Sequence, residues 1–142
     1  MTFECSRVAP NLYVGSYPGD GPEAEANAER DGFDAVVRCA AELPNLYPLE
    51  DVPRITGTQL VLFLRAAQDV AARLKDGEKV LVTCAAGINR SALVAGLAMV
   101  MHFQIDGAKA YSTIRKARKC PDGGQALRNT GFANFLIGYE SL

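Results

Sequence analysis

Lys79-Val80-Leu81-Val82-Thr83-Cys84-Ala85-Ala86-Gly87-Ile88-Asn89-Arg90-Ser91 (KVLVTCAAGINRS) is followed at once by the apolar stretch ALVAGLAMVMHF at positions 92–103. The short run of branched apolar residues bounded by polar ones predicts a buried strand over residues 79–83. The longer run predicts a helix that begins near Ser91. It is apolar nearly all round, as expected for a helix buried in the core. Between them lies a loop of a cysteine, five intervening residues and an arginine. A strand, a tight loop and a buried helix in that order are the unit of a parallel sheet covered by helices. In such sheets ligands sit beyond the carboxyl ends of the strands, and Cys84 stands at such an end.

The flanking sequence extends the same alternation. Upstream, Leu60, Phe63, Leu64, Ala67, Val70, Ala71 and Leu74 recur at three- and four-residue steps and predict a helix over residues 57–75, stopped by Asp76-Gly77. Residues 33–39 (FDAVVRC) read as a second buried strand, residues 23–30 as a helix and residues 11–15 (NLYVG) as a first short strand. Residues 16–22 are dense in Gly, Pro and Asp and read as a turn or loop. Residues 41–54 carry Pro44, Pro48 and Pro53 and should be largely irregular. Downstream, Asp106 should cap a helix running through Lys119. Cys120 to Gly124 break the pattern, and Asn129 or Thr130 caps a last helix ending near Tyr139. The expected fold is α/β: a single domain over residues 1–142, with a central, mostly parallel sheet flanked by helices.

Composition limits the functions open to such a chain. Its 142 residues suffice for one domain with a sizeable core. Hydrophobic residues at 49% and charged residues at 22% are ordinary for a soluble globular protein. A net charge of −1 gives no global attraction for nucleic acid, so attraction for a phosphorylated ligand must be local. Cys5, Cys39, Cys84 and Cys120 lack paired spacing, so no structural zinc site is expected. The first ten residues have no apolar core of the kind a signal peptide needs, and the run at 92–103 is too short to span a bilayer. The expected setting is reducing and cytoplasmic, which suits a working thiol.

The loop supplies a coherent chemistry. A thiol is mostly protonated near neutral pH, and a helix N-terminus, several N–H donors and a guanidinium all favour its anion. A loop curling around an oxyanion brings Arg90 back over that anion, where its planar fork matches two phosphate oxygens. Gly87 permits a backbone conformation that turns N–H groups inward. The phosphate-binding loop is therefore Cys84, Ala85, Ala86, Gly87, Ile88, Asn89 and Arg90, with Cys84 as nucleophile. Ser91 can donate a hydrogen bond to the sulfur and so help a thiolate leave a phosphocysteine intermediate. The leaving oxygen needs a proton, usually from a carboxylic acid on a nearby loop. Asp51 and its neighbour Glu50 compete for that role. No metal or other cofactor is called for, because the loop and Arg90 supply the electrostatic stabilisation.

The cysteine–arginine loop resembles the signature of the cysteine-dependent protein tyrosine phosphatases, and nearly the whole chain most resembles their small dual-specificity members. VAPNLYVGS at positions 8–16 is similar to the strand and turn that open that family, and Asp51-Val52-Pro53 to its acid loop. Asn129-Thr130-Gly131-Phe132 is similar to its later Asn and Gly-Phe. The resemblance implies that Cys84 is the nucleophile, Arg90 the phosphate clamp, Asp51 the general acid and base, and Ser91 the hydroxyl aiding thiolate release. It implies that Asn129 braces the signature loop. It also implies hydrolysis of phosphotyrosine, phosphoserine or phosphothreonine in phosphorylated protein substrates, with no membrane partner.

Two departures keep other readings open. The family usually has His before the cysteine, where this chain has Thr83. That admits a pseudophosphatase, a module that binds phosphorylated partners without turnover. Asn89 before Arg90 resembles the variant found in RNA 5′-triphosphatases, and non-protein phosphatases of RNA or phospholipid are the related alternative. Lys109, Arg115, Lys116, Arg118 and Lys119 form the one local basic cluster, and a solvated helix face is the expected role for it. The only histidine, His102, is expected in the core. Cys39 is expected at a strand end beside that of Cys84, as a buried structural thiol or a resolving partner if Cys84 is oxidised. A rhodanese-like sulfur transferase also uses a cysteine loop for anions, but the hydroxyl after the arginine and the acid upstream favour phosphate chemistry.

Overall fold

A computed structural model describes residues 4–16, 21–39 and 47–140. In chain order the elements are strands β1 (Cys5–Ala9) and β2 (Leu12–Gly15), helix α1 (Gly21–Arg30), strand β3 (Ala35–Arg38), helix α2 (Gly57–Lys75), strand β4 (Val80–Thr83), and helices α3 (Arg90–Phe103), α4 (Gly107–Ala117) and α5 (Thr130–Ile137). The strands form one sheet in the order β1-β2-β4-β3. β4 lies between two parallel neighbours, with Val14 and Val37 both level with Val82.

β4 is buried on both faces, which is why its sequence is continuously apolar rather than alternating. The period of two still decides direction. Val80 and Val82 enter the main core with Leu12, Val14 and Val37, beneath α2 and α3. Leu81 faces the other way, with Tyr13, Phe33 and Ala28, against the layer that contains α1. Tyr13 and Phe33 meet edge-on there at 5.0 Å. α3 is buried from Arg90 to Val100 because α2, α4, α5 and the sheet surround it.

Most expected elements hold, with boundaries moved by one to a few residues. α2 spans the expected 57–75, ended by Asp76 and by Gly77 at φ +80°. Asp106 accepts the Lys109 N–H and caps α4, and Asn129 accepts the Phe132 N–H and caps α5. Three expectations change. β1 was not expected as a strand; it pairs antiparallel with β2, so the sheet is mixed. Asn11, placed in the first strand by its apolar neighbours, instead adopts φ +63° in the tight turn between β1 and β2. α4 ends at Ala117 rather than Lys119, because Arg118 is extended and leaves the helix axis. Of the irregular stretch expected at 41–54, residues 47–54 contain neither helix nor strand, and 41–46 lie outside the described residues; so do 17–20 of the expected loop. No helix among the described residues is long and apolar enough to cross a membrane.

Candidate active site

The cysteine loop leaves β4 at Thr83 and enters α3 at Arg90, so its seven residues close over one helix N-terminus. Gly87 sits at φ +67°, and a Cβ there would lie 2.6 Å from the Gly15 carbonyl. Glycine is therefore required twice, by the dihedral and by the close approach to β2. Cys84 is buried at the base of the loop, with 4% of its surface exposed. Its Sγ lies 3.2 Å from Ser91 Oγ, on the first turn of α3.

Arg90 is 9% exposed, and its Nη1 donates to the Leu49 carbonyl at 3.2 Å. That bond joins the cysteine loop to the segment carrying the candidate acids. Two residues on, Asn89 Nδ2 donates to Asp51 Oδ2 at 3.0 Å, and Asn129 Nδ2 donates to Asp51 Oδ1 at 2.6 Å. Asn129 Nδ2 also reaches the Val52 carbonyl at 2.8 Å, while the Asn129 backbone N–H donates to Asn89 Oδ1 at 2.9 Å. Asp51, Asn89 and Asn129 thus form a closed ring of hydrogen bonds over the loop. Gly131 adds to it, approaching the Pro53 carbonyl so closely that any Cβ would overlap it. Glu50 makes a different contact: its backbone N–H donates to Gln59 Oε1 on α2 at 2.8 Å. Asn129, read from resemblance as a brace of the signature loop, meets that loop through Asn89 and meets Asp51 as well.

The remaining candidates separate from the site. His102, near the C-terminal end of α3, is half-buried and packs edge-on against Phe103. Cys39 is fully buried at the end of β3, its N–H donating to the Thr83 carbonyl at 2.7 Å. Burial holds its thiol well above the ordinary cysteine range. Thr83, in the position of the usual His, has a buried hydroxyl that makes no hydrogen bond among the described residues. Among those residues no group of three or more His, Cys, Asp or Glu is placed to hold a metal ion.

A family model for the dual specificity phosphatase catalytic domain matches residues 12–141. This chain belongs to that family. Human dual specificity phosphatase 28 is 29% identical over 145 residues, which cover 94% of this chain and 76% of that protein. The crystal structure of human DUSP28 superposes with a TM-score of 0.73 at 26% identity, covering 96% of this chain and 92% of the other. A mouse putative dual specificity phosphatase complexed with zinc tungstate gives a TM-score of 0.73 at 25% identity, covering 96% and 86%.

One residue that touches the cysteine loop differs from its expected place. Arg118 was expected on a solvated basic face; it is 1% exposed and lies behind the cysteine loop. The extended backbone at the end of α4 turns it inward, while Arg115 stays on the helix and donates to Tyr111 Oη at 2.8 Å. Nothing in the spacing of five basic residues distinguishes the one that leaves the helix. The signal lies in a distant acid, Glu4, whose carboxylate Arg118 meets.

Proposed function

We propose that this chain is a protein phosphatase that hydrolyses phosphotyrosine, phosphoserine or phosphothreonine through a phosphocysteine intermediate. The observation that carries this reading is the convergence of Cys84, Ser91, Arg90 and the Asp51–Asn89 contact on one loop. In the first step Cys84 Sγ attacks phosphorus, a P–S bond forms and the ester P–O bond breaks. Asp51 gives its proton to the leaving oxygen. Arg90 and the N–H groups of Ala85 to Asn89 hold the charge that spreads over the remaining oxygens. In the second step water attacks phosphorus, Asp51 takes its proton, and the P–S bond breaks. Ser91 Oγ, 3.2 Å from the sulfur, donates to the departing thiolate. The mouse relative is complexed with zinc tungstate, and tungstate is a tetrahedral oxyanion like phosphate, so tungstate is a suitable probe of this chain's anion binding.

Thr83 favours a second reading, capture of phosphorylated partners without turnover. Binding alone has no use for a carboxylic acid, and Asp51 held against the loop supports turnover. The test is release of inorganic phosphate from an aryl phosphate and from a panel of phosphopeptides, phosphoinositides and 5′-triphosphate RNA. Wild type should turn over the phosphopeptides and Cys84→Ser should not, while Cys84→Ser still binds a phosphate analogue. Turnover by Cys84→Ser near the wild-type level would overturn the reading.

A further inference from the structure

Three consecutive carbonyls of the cysteine loop are held from outside. Arg118 Nη2 donates to the Ala86 carbonyl at 3.1 Å and Arg118 Nε to the Gly87 carbonyl at 2.9 Å. The Leu127 N–H donates to the Ile88 carbonyl at 2.8 Å. The peptide bonds are trans, so each carbonyl and the N–H of the following residue point in opposite directions. Holding the carbonyls of Ala86, Gly87 and Ile88 outward therefore turns the N–H groups of Gly87, Ile88 and Asn89 to the opposite side. Among the described residues none of these three N–H groups donates to a backbone carbonyl. They remain available to an oxyanion above Cys84.

The brace is itself built. Arg118 is buried, and a buried guanidinium is costly unless a counter-charge and acceptors meet it. Both Glu4 oxygens do so: Oε1 accepts from Nη2 at 2.7 Å and Oε2 from Nη1. Nη1 also donates to Ser6 Oγ at 3.3 Å and to the Lys119 carbonyl at 3.2 Å. Glu4 in turn accepts from Ser16 Oγ at 3.0 Å through Oε1. Leu127 reaches Ile88 only by adopting φ +59°, which a branched-chain residue rarely does. The fold thus holds a strained residue and a buried guanidinium, paired with a partly exposed carboxylate, behind one loop. Neither touches the place where substrate would sit.

We infer that Arg118, its charge compensated by Glu4, is the positioning residue that sets the loop's N–H groups for the oxyanion, with Leu127 completing the brace. This deepens the phosphatase reading and rests on it. The guanidinium acts through the loop backbone rather than as a second anion site, because Glu4 and the carbonyls occupy its donors.

The test compares wild type, Glu4→Gln and Arg118→Lys in tungstate titrations followed by the amide ¹⁵N–¹H signals of Gly87, Ile88 and Asn89, alongside kcat and KM for an aryl phosphate. In wild type those three signals should move on titration. In Arg118→Lys a single ammonium cannot span two carbonyls and a carboxylate. Its tungstate Kd should rise about tenfold to a hundredfold, with smaller amide shifts, the scale expected of a misplaced binding group. Glu4→Gln, the milder change should Arg118→Lys not fold, should show the same pattern in smaller degree. The leaving-group dependence supplied by Asp51 should not change. Folded variants with wild-type tungstate affinity and wild-type amide shifts would overturn the brace, while leaving the phosphatase reading intact. Failure of the phosphatase reading itself would instead appear as phosphopeptide turnover by Cys84→Ser.

Discussion

Asp51→Asn separates proton donation from the architecture around it. The carboxylate accepts one amide hydrogen bond at each oxygen, from Asn89 at 3.0 Å and from Asn129 at 2.6 Å. An amide in its place offers one oxygen and one NH₂, so one bond survives and one pair of donors face each other. Asp51 is exposed, and water can satisfy the displaced donor, so the cost in stability should be about 1 kcal/mol or less. The chemical cost is far larger. Loss of a general acid lowers a rate by roughly 10²- to 10⁴-fold, which is about 3–5 kcal/mol of barrier. The two effects therefore differ by several kcal/mol and can be read apart. The assay is kcat for a series of aryl phosphates of rising leaving-group basicity, with thermal melting of both proteins alongside. The ratio of wild type to Asp51→Asn should grow along the series, because basic leaving groups need the proton most. Asn89→Ala keeps the acid but removes one of its two holders, and should lose only about tenfold, by misplacement. A ratio that stays constant along the series would refute proton donation by Asp51. The same steep pattern in Glu50→Gln would move the role one residue back, against the tie of the Glu50 backbone to Gln59.

Two further predictions follow from side chains with well-defined surroundings. Arg90→Lys keeps the charge but cannot both hold the Leu49 carbonyl and fork around an oxyanion; kcat should fall by roughly two orders of magnitude or more, and a two- or three-fold change would mean that Arg90 does not clamp phosphate. Thr83→Val removes a buried hydroxyl without a hydrogen bond among the described residues and keeps its shape; chemical denaturation should show a gain of about 1 kcal/mol, and a loss of that size would reveal a partner for the hydroxyl.

The strand, loop and helix around Cys84 were legible in the chain because each is a local property. Val80 to Val82 are continuously apolar, Gly87 supplies a positive φ, and the run after Arg90 can only be buried. The nearness of Cys84 to Ser91 follows from the same local geometry, since Ser91 lies on the first turn of α3. α2 and the caps at Asp106 and Asn129 were readable for a similar reason, as periodicity and side chain-to-backbone bonds act over a few residues. β1 was not legible, because its pairing with β2 depends on a turn at Asn11 whose positive φ is optional for asparagine.

What only the tertiary structure decided are contacts between segments far apart in the chain. Asp51 rather than Glu50 faces the loop because Asn89 and Asn129, from two other segments, converge on its carboxylate. Arg118 is buried rather than solvated because α4 ends at Ala117 and Glu4, near the start of the chain, lies behind the loop. A basic side chain on paper has no preferred partner. Its burial is settled by which counter-charge the packed helices and strands bring within reach, and here that partner comes from the opposite end of the sequence.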